Sequence, residues 1–244
     1  MQSEELAADL LSGGMMGQGY QCGMLWGAAL GAGAQAYRLF GASSQAETMA
    51  IGAAQKIVAT FRAQNKDIDC SDITGIDLAA PTTRMMWRFL IRTGPKGSCF
   101  GMAASYAKAV FRDINATLAE KQIEASAYPI SCASMLAKKM SASDLHAVMA
   151  AGFAGGIGLS GDACGALGAA IWINAMNSGK LEKGLLAYKN PVALATIDRY
   201  LKSADHEFEC AKIVGRKFEN VADHASFVRG GGCAKIIEAL ASPG

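Results

Sequence analysis

The stretch GDACGALGAA (Gly161–Ala170) decides how this chain reads. It sets a cysteine and a run of small residues where a glycine-rich segment turns into a helix. A near copy, GYQCGMLWGAA (Gly19–Ala29), stands close to the N-terminus. Sliding the sequence on itself by 142 positions lays Gly13-Gly14 on Gly155-Gly156, Gly19 on Gly161, Cys22-Gly23 on Cys164-Gly165, Leu25 on Leu167 and Ala28 on Ala170. Further on, CSDITG (Cys70–Gly75) pairs with CAKIVG (Cys210–Gly215) after a two-residue slip. GSCFGMAASYAKAV then pairs with GGCAKIIEAL, which sets Cys99 against Cys233. One such match is what chance supplies. Three cysteines recurring in order, in similar contexts, make the chain a duplication with halves at residues 1–122 and 123–244. Cys132, in YPISCASMLAKKM, has its counterpart about ten residues before Met1. The first half is therefore expected to be the degenerate copy, with three cysteines against four.

Outward from the cysteines the pattern is helical. SQAETMAIGAAQKIVATFRAQ carries Ala46, Ala50, Ala54, Ile57 and Phe61 at steps of three and four. CFGMAASYAKAVFRDINATLAEK puts Tyr106, Val110, Ile114 and Leu118 four apart on one face. Ser141 or Ser143 is placed to cap the helix beginning near Leu145. Pro81, Pro95, Pro129 and Pro191 fall between helical segments, where breakers belong. Alternating strand patterns are scarce, the one weak candidate being WRFLIRTG (Trp87–Gly94). The expected fold is all-α: a duplicated bundle of about ten short helices, with halves related by a pseudo-two-fold.

Composition narrows the class. The chain has 244 residues, 51% apolar and 18% charged, with a net charge of +2. The interior is well supplied, and the absence of a basic block with few aromatics argues against nucleic acid. The acidic N-terminus MQSEELAADLL does not read as a leader. The apolar runs GMLWGAALGAGAQA and AVMAAGFAGGIGL are shorter than the ~18–20 residues of a membrane span. A cytoplasmic protein is the expectation. Seven cysteines in a reducing compartment point to metal binding or redox chemistry rather than structural disulfides. No CxxC occurs, which argues against zinc ribbons, thioredoxin-type motifs, bacterial ferredoxin loops and covalent haem attachment.

The cysteines sit at helix entrances. Cys22 follows Gly19-Tyr20-Gln21, Cys99 follows Gly97-Ser98, Cys132 follows Ser131, Cys164 follows Gly161-Asp162-Ala163, and Cys233 follows Gly230-Gly231-Gly232. Ser98, Ser131 and Asp162 are candidate N-caps. Free N–H groups and the positive end of a helix favour a thiolate, so lowered thiol pKa values are expected here. The same groups can hydrogen-bond the sulfur of a cluster. A single buried cysteine is as well explained by packing. A set repeated in both halves favours chemistry. His146, His206 and His224 do not repeat and read as surface or core residues, His206 being the best outsider as a ligand. The methionines read as core filler. GGIGLSGDACG lacks the flanking strand and Lys-Ser/Thr of a phosphate loop.

Cys132, the glycine-rich AGFAGGIGLSGDACGA, FECAKIVG and GGCAKIIEAL together resemble the redox-active proteins named for their C_GCAxxG_C_C pattern, small proteins of one unit with four cysteines. The matching positions are Cys132, Cys164, Cys210 and Cys233, with Cys22, Cys70 and Cys99 in the first half. The family's GCAxxG segment reads ACGALG here, with Ala163 and Gly165 exchanged, and QCGMLWG in the first copy. The resemblance implies a redox or metal-cluster role. The expected site is Cys132, Cys164, Cys210 and Cys233, as ligands of an iron–sulfur cluster or as two dithiol/disulfide couples, with Cys22, Cys70 and Cys99 as a second metal-binding set. Whether the chain is an enzyme stays open. The partner is a redox protein of unknown identity, and a homodimer is entertained as the assembly. The rival reading is a helical ligand- or partner-binding module with structural cysteines or zinc.

Overall fold

The structure is a computed structural model that describes residues 2–77, 82–85, 87, 99–120, 131–178 and 189–242. Among these, the helices run α1 (Gln2–Ala8), a 3-10 turn (Asp9–Leu11), α2 (Gly23–Phe40), α3 (Ser44–Asn65), α4 (Cys70–Thr74), α5 (Cys99–Ala119), α6 (Cys132–Lys139), α7 (Asp144–Ala151), α8 (Gly165–Ser178), α9 (Pro191–Ser203), α10 (Cys210–Val214), α11 (Val221–Arg229) and α12 (Ala234–Ala241). The described residues hold only two isolated β-bridges and no named strand. No helix among them is long and apolar enough to cross a membrane. The strand candidate at Trp87–Gly94 lies, apart from Trp87, outside the described residues, as does the junction of the halves at 122/123.

The helical stripes are the buried faces. Ser43 caps α3 by accepting the Ala46 N–H at 3.1 Å, and Ala46, Ala50, Ala54, Ile57 and Phe61 are fully buried. Tyr106, Val110, Ile114 and Leu118 bury the inner side of α5. Ser143, rather than Ser141, caps α7, and Ser131 caps α6. Asp162 caps nothing and pairs instead with Arg62 at 3.1 Å. Both halves contribute to one hydrophobic core. The duplication is visible element by element: α1 matches α7, α2 matches α8, α3 matches α9, α4 matches α10 and α5 matches α12. The matching helices α1 and α7 each lie on a helix of the other half, α1 on α8 and α7 on α2.

The glycine-rich segments ahead of α2 and α8 wind the wrong way. Gly13, Gly14, Met15, Met16 and Gly17 have φ of 64, 72, 68, 55 and 75°, and Gly155, Gly156, Ile157, Gly158 and Leu159 repeat this with 60, 83, 64, 57 and 61°. A non-glycine residue in this region costs roughly 1–2 kcal/mol. Burial and hydrogen bonds offset it. Met15 and Ile157 are fully buried, the Met16 N–H reaches the Leu10 carbonyl at 2.8 Å, and the Gly158 N–H reaches that of Gly152 at 2.9 Å.

Three contacts join a residue to its own copy in the other half. Glu4 pairs with His146 at 3.3 Å. Gln21 Oε1 accepts the Ala163 N–H at 3.1 Å, while its Nε2 donates to the Gly156 carbonyl at 3.1 Å. Trp26 fills the space over Gly168, where an added Cβ would lie 2.3 Å from the indole ring. Self-contact of this kind marks the line of a two-fold axis.

Candidate thiol site

The backbone places the cysteines before any side chain does. In the second half Ala163 bridges Glu209. Around that bridge the Cys164 N–H donates to the Phe208 carbonyl at 2.8 Å, Cys210 N–H to Asp162 at 2.7 Å, and Ala211 N–H to Gly161 at 2.8 Å. The first half repeats the clamp around the Gln21–Asp69 bridge: Cys22 to Ile68 at 2.8 Å, Cys70 to Tyr20 at 2.7 Å, Ser71 to Gly19 at 2.9 Å. Every cysteine stands at a helix entrance. Cys70, Cys99, Cys132 and Cys210 are first residues, Cys22 and Cys233 are N-caps, and Cys164 directly precedes the Gly165 that opens α8.

The second-half thiols form one electrostatic group. Burial, then the thiols of Cys164, Cys132 and Cys233, push Cys210 far up. Burial, then Cys132 and Cys164, do the same to Cys233. Cys164 is pushed up to about 11 by burial and then by Cys132. In the first half burial, then Cys22 and Cys99, raise Cys70 to about 12, and burial followed by Cys99 raises Cys22. Of the expected site residues, Cys132, Cys164 and Cys233 thus act electrostatically on Cys210, and Cys22 and Cys99 act on Cys70. His206 is exposed on a turn and His146 is engaged with Glu4.

The expected lowering of thiol pKa values is corrected. The helix-start N–H groups do reach the sulfurs, Met24 at Cys22, Ala166 and Leu167 at Cys164, and Ala133 at Cys132, and the Gly155 N–H of the left-handed turn also reaches Cys132. Burial outweighs them, because the thiols are largely removed from water. Burial therefore holds the thiols of Cys22, Cys70, Cys132, Cys164, Cys210 and Cys233 towards the protonated form. Access differs as well: Cys99 is exposed, Cys233 half-buried, and the other five buried. Cys233 opens on a cleft of about 260 Å³ walled by Ile213, Phe227 and Ile236 with Lys235 at its edge. In the reduced protein iodoacetamide should modify Cys99 first and Cys233 next, leaving the other five until the chain unfolds. Peptide mass spectrometry along a labelling time course reads this directly, and early labelling of Cys164 or Cys210 would contradict it.

Tyr200 completes the group and was not legible as a site residue. It is fully buried, its hydroxyl donates to the Glu207 carbonyl at 3.0 Å, and it hydrogen-bonds Cys164. In the 142-residue register its position in the first half is taken by Val58, so the duplication gave no signal for it. Among the described residues no group of three or more His, Cys, Asp or Glu side chains is arranged to hold a metal ion as it stands.

The family described as "Putative redox-active protein (C_GCAxxG_C_C)" matches residues 2–112 and again residues 130–242. The chain belongs to this family. The double match covers both halves, so this member of the C_GCAxxG_C_C family carries its unit twice and has, in general terms, a redox role. No curated protein and no solved structure shows a match to the chain. The glycine that follows Cys164 in its GCAxxG segment has a physical reason. A Cβ on Gly165 would lie 1.8 Å from the Phe153 carbonyl oxygen, so no larger residue fits there. Ala163 lies on the bridge, with its N–H held by Gln21.

Proposed function

We propose that the protein transfers electrons through its second half, with Cys132, Cys164, Cys210 and Cys233 as the four ligands of an iron–sulfur cluster. The observation that carries this reading is four thiols at four separate helix entrances, all raised by burial and three of them, Cys164, Cys210 and Cys233, raised further by their neighbours in the set. Such a set gains most from a cationic occupant that replaces the protons. Donor type and number match what an iron–sulfur cluster takes. When bound, the cluster would supply reversible one-electron transfer. The chain's own part is to exclude water and to aim the Ala166, Leu167 and Gly155 N–H groups at the sulfurs, which tunes a potential. In the first half, Cys22, Cys70 and Cys99 supply one ligand fewer, and we assign that half the role of scaffold. Seven free cysteines suit the cytoplasm.

The dithiol/disulfide version fits less well. Thiol–disulfide exchange needs an accessible thiolate, and three of these four thiols are buried while all are raised. Anaerobic reconstitution with ferrous iron and sulfide decides between them. A brown chromophore is expected, lost in Cys164→Ser and Cys210→Ser and kept in Cys70→Ser. A colourless, iron-free product from the folded protein, or one that gains a disulfide on mild oxidation instead, sinks the cluster reading.

A further inference from the structure

The helices that begin at Cys132, Cys164 and Cys233 end around a second feature. The ends of α6, α8 and α12 and the start of α9 line an open cavity of about 450 Å³. That volume falls in the range of small-molecule sites. Its walls are mixed. Met140, Val192 and Leu240 supply apolar surface, Asn174 and Asn177 supply amides, and Arg199 is the one charged residue among its described lining. Asn174 is held in place by its Nδ2 donating to Thr196 Oγ1 at 3.0 Å.

Arg199 is the informative residue. Its guanidinium keeps its charge at any ordinary pH, and its Nε is buried with no hydrogen-bond partner. A buried donor left unmade is costly and calls for an explanation. Arg199 lies next to Tyr200 on α9, but the two serve different surroundings: Tyr200 bonds Cys164, and Arg199 lines the cavity. The start of α9 offers no competing donors, because the Asn190 side chain already takes the Val192 and Ala193 N–H groups.

From the cavity, the orphaned Nε and the apolar walls we infer a binding site for a small amphipathic organic anion. Its carboxylate pairs with Arg199 and its hydrocarbon part lies against Met140, Val192 and Leu240. A carboxylate oxygen supplies the acceptor that Nε lacks, and an Arg–carboxylate pair adds charge to the hydrogen bond. The site is not the thiol site. Cys164 and Asn174 are ten residues apart, about 15 Å along a helix at 1.5 Å per residue. The inference stands whether or not the thiols hold a cluster.

Calorimetric titration of the full chain with sodium octanoate, 1-octanol and inorganic phosphate tests it. Octanoate should bind with a saturable 1:1 isotherm, and octanol and phosphate about tenfold more weakly or worse. Arg199→Gln should weaken octanoate by about tenfold or more while leaving the weak octanol binding unchanged. Val192→Glu, at an exposed wall position, should weaken it too and serves if the arginine variant does not fold. Equal affinity for octanoate and octanol, unchanged octanoate binding in either folded variant, or no saturable octanoate binding at all would overturn the inference.

Discussion

Gly165→Ala is expected to destabilise the protein by about 3 kcal/mol, the upper end of what overpacking against rigid backbone costs. Helix propensity alone says the opposite. Alanine is better than glycine inside a helix by about 1 kcal/mol, and Gly165 opens α8. Sterics decide, because the new Cβ would lie 1.8 Å from the Phe153 carbonyl oxygen and 2.5 Å from its carbon. Neither atom belongs to a side chain that could swing away. The carbonyl sits just ahead of the left-handed turn, so any retreat would disturb the segment whose Gly155 N–H faces Cys132. The chain contains its own control. At the matching Gly23 the nearest atom to an added Cβ is Ser12 Cα at 2.9 Å, a milder approach, so Gly23→Ala should cost clearly less. Urea unfolding of the two variants measures both, and a Gly165→Ala protein as stable as wild type would refute the account.

The reduced, metal-free protein should lose stability steeply above about pH 8.5. An unfolded thiol ionises near 8.5, whereas folded Cys164 holds its proton to about 11 and Cys70 to about 12. The folded state therefore binds more protons than the unfolded state between those limits, and raising the pH favours unfolding. The stabilising share of each thiol is fully present below about 8.5 and has gone once pH passes its folded value. While the gap is open, the slope is about 1.4 kcal/mol per pH unit for each such thiol. Cys22, Cys132, Cys210 and Cys233 are shifted in the same direction by burial, so their contributions add. Urea midpoints at pH 7, 9 and 10 under reductant test this, and Cys164→Ser should flatten the slope by one thiol's share. A midpoint unchanged between pH 8 and 10 would show that the thiols are not held protonated by the fold.

The helices and the duplication were legible because both are local or periodic. A buried stripe such as Ala46-Ala50-Ala54-Ile57-Phe61 is written into spacing, and a cysteine in a repeated context is written into order. The direction of the thiol shifts was not. The helix-start N–H groups could be placed from glycines and caps, but the burial that overrules them is assembled from residues far apart in the chain. The left-handed turns were hidden for a related reason. Met15, Met16, Ile157 and Leu159 are poor choices for positive φ, and only tertiary packing keeps them there. Gln21 and Ala163 read as departures from a motif, whereas in space they are hydrogen-bonded to each other. Tyr200 and Arg199, neighbours on one helix, gave no pattern at all.

The residues that meet across the pseudo-two-fold carry a consequence for how such a protein can exist. In a dimer of identical chains, a residue on the axis faces itself. Two Trp26 side chains would collide where Trp26 now enters the room left by Gly168. Two glutamates would repel where Glu4 now pairs with His146. Two copies of Gln21 would compete for the space that Ala163 leaves open. Each of these contacts requires unlike partners, and joining two diverged halves in one chain supplies them. The single chain is thus freed from self-complementarity at its centre, and one half can keep four thiols while the other keeps three.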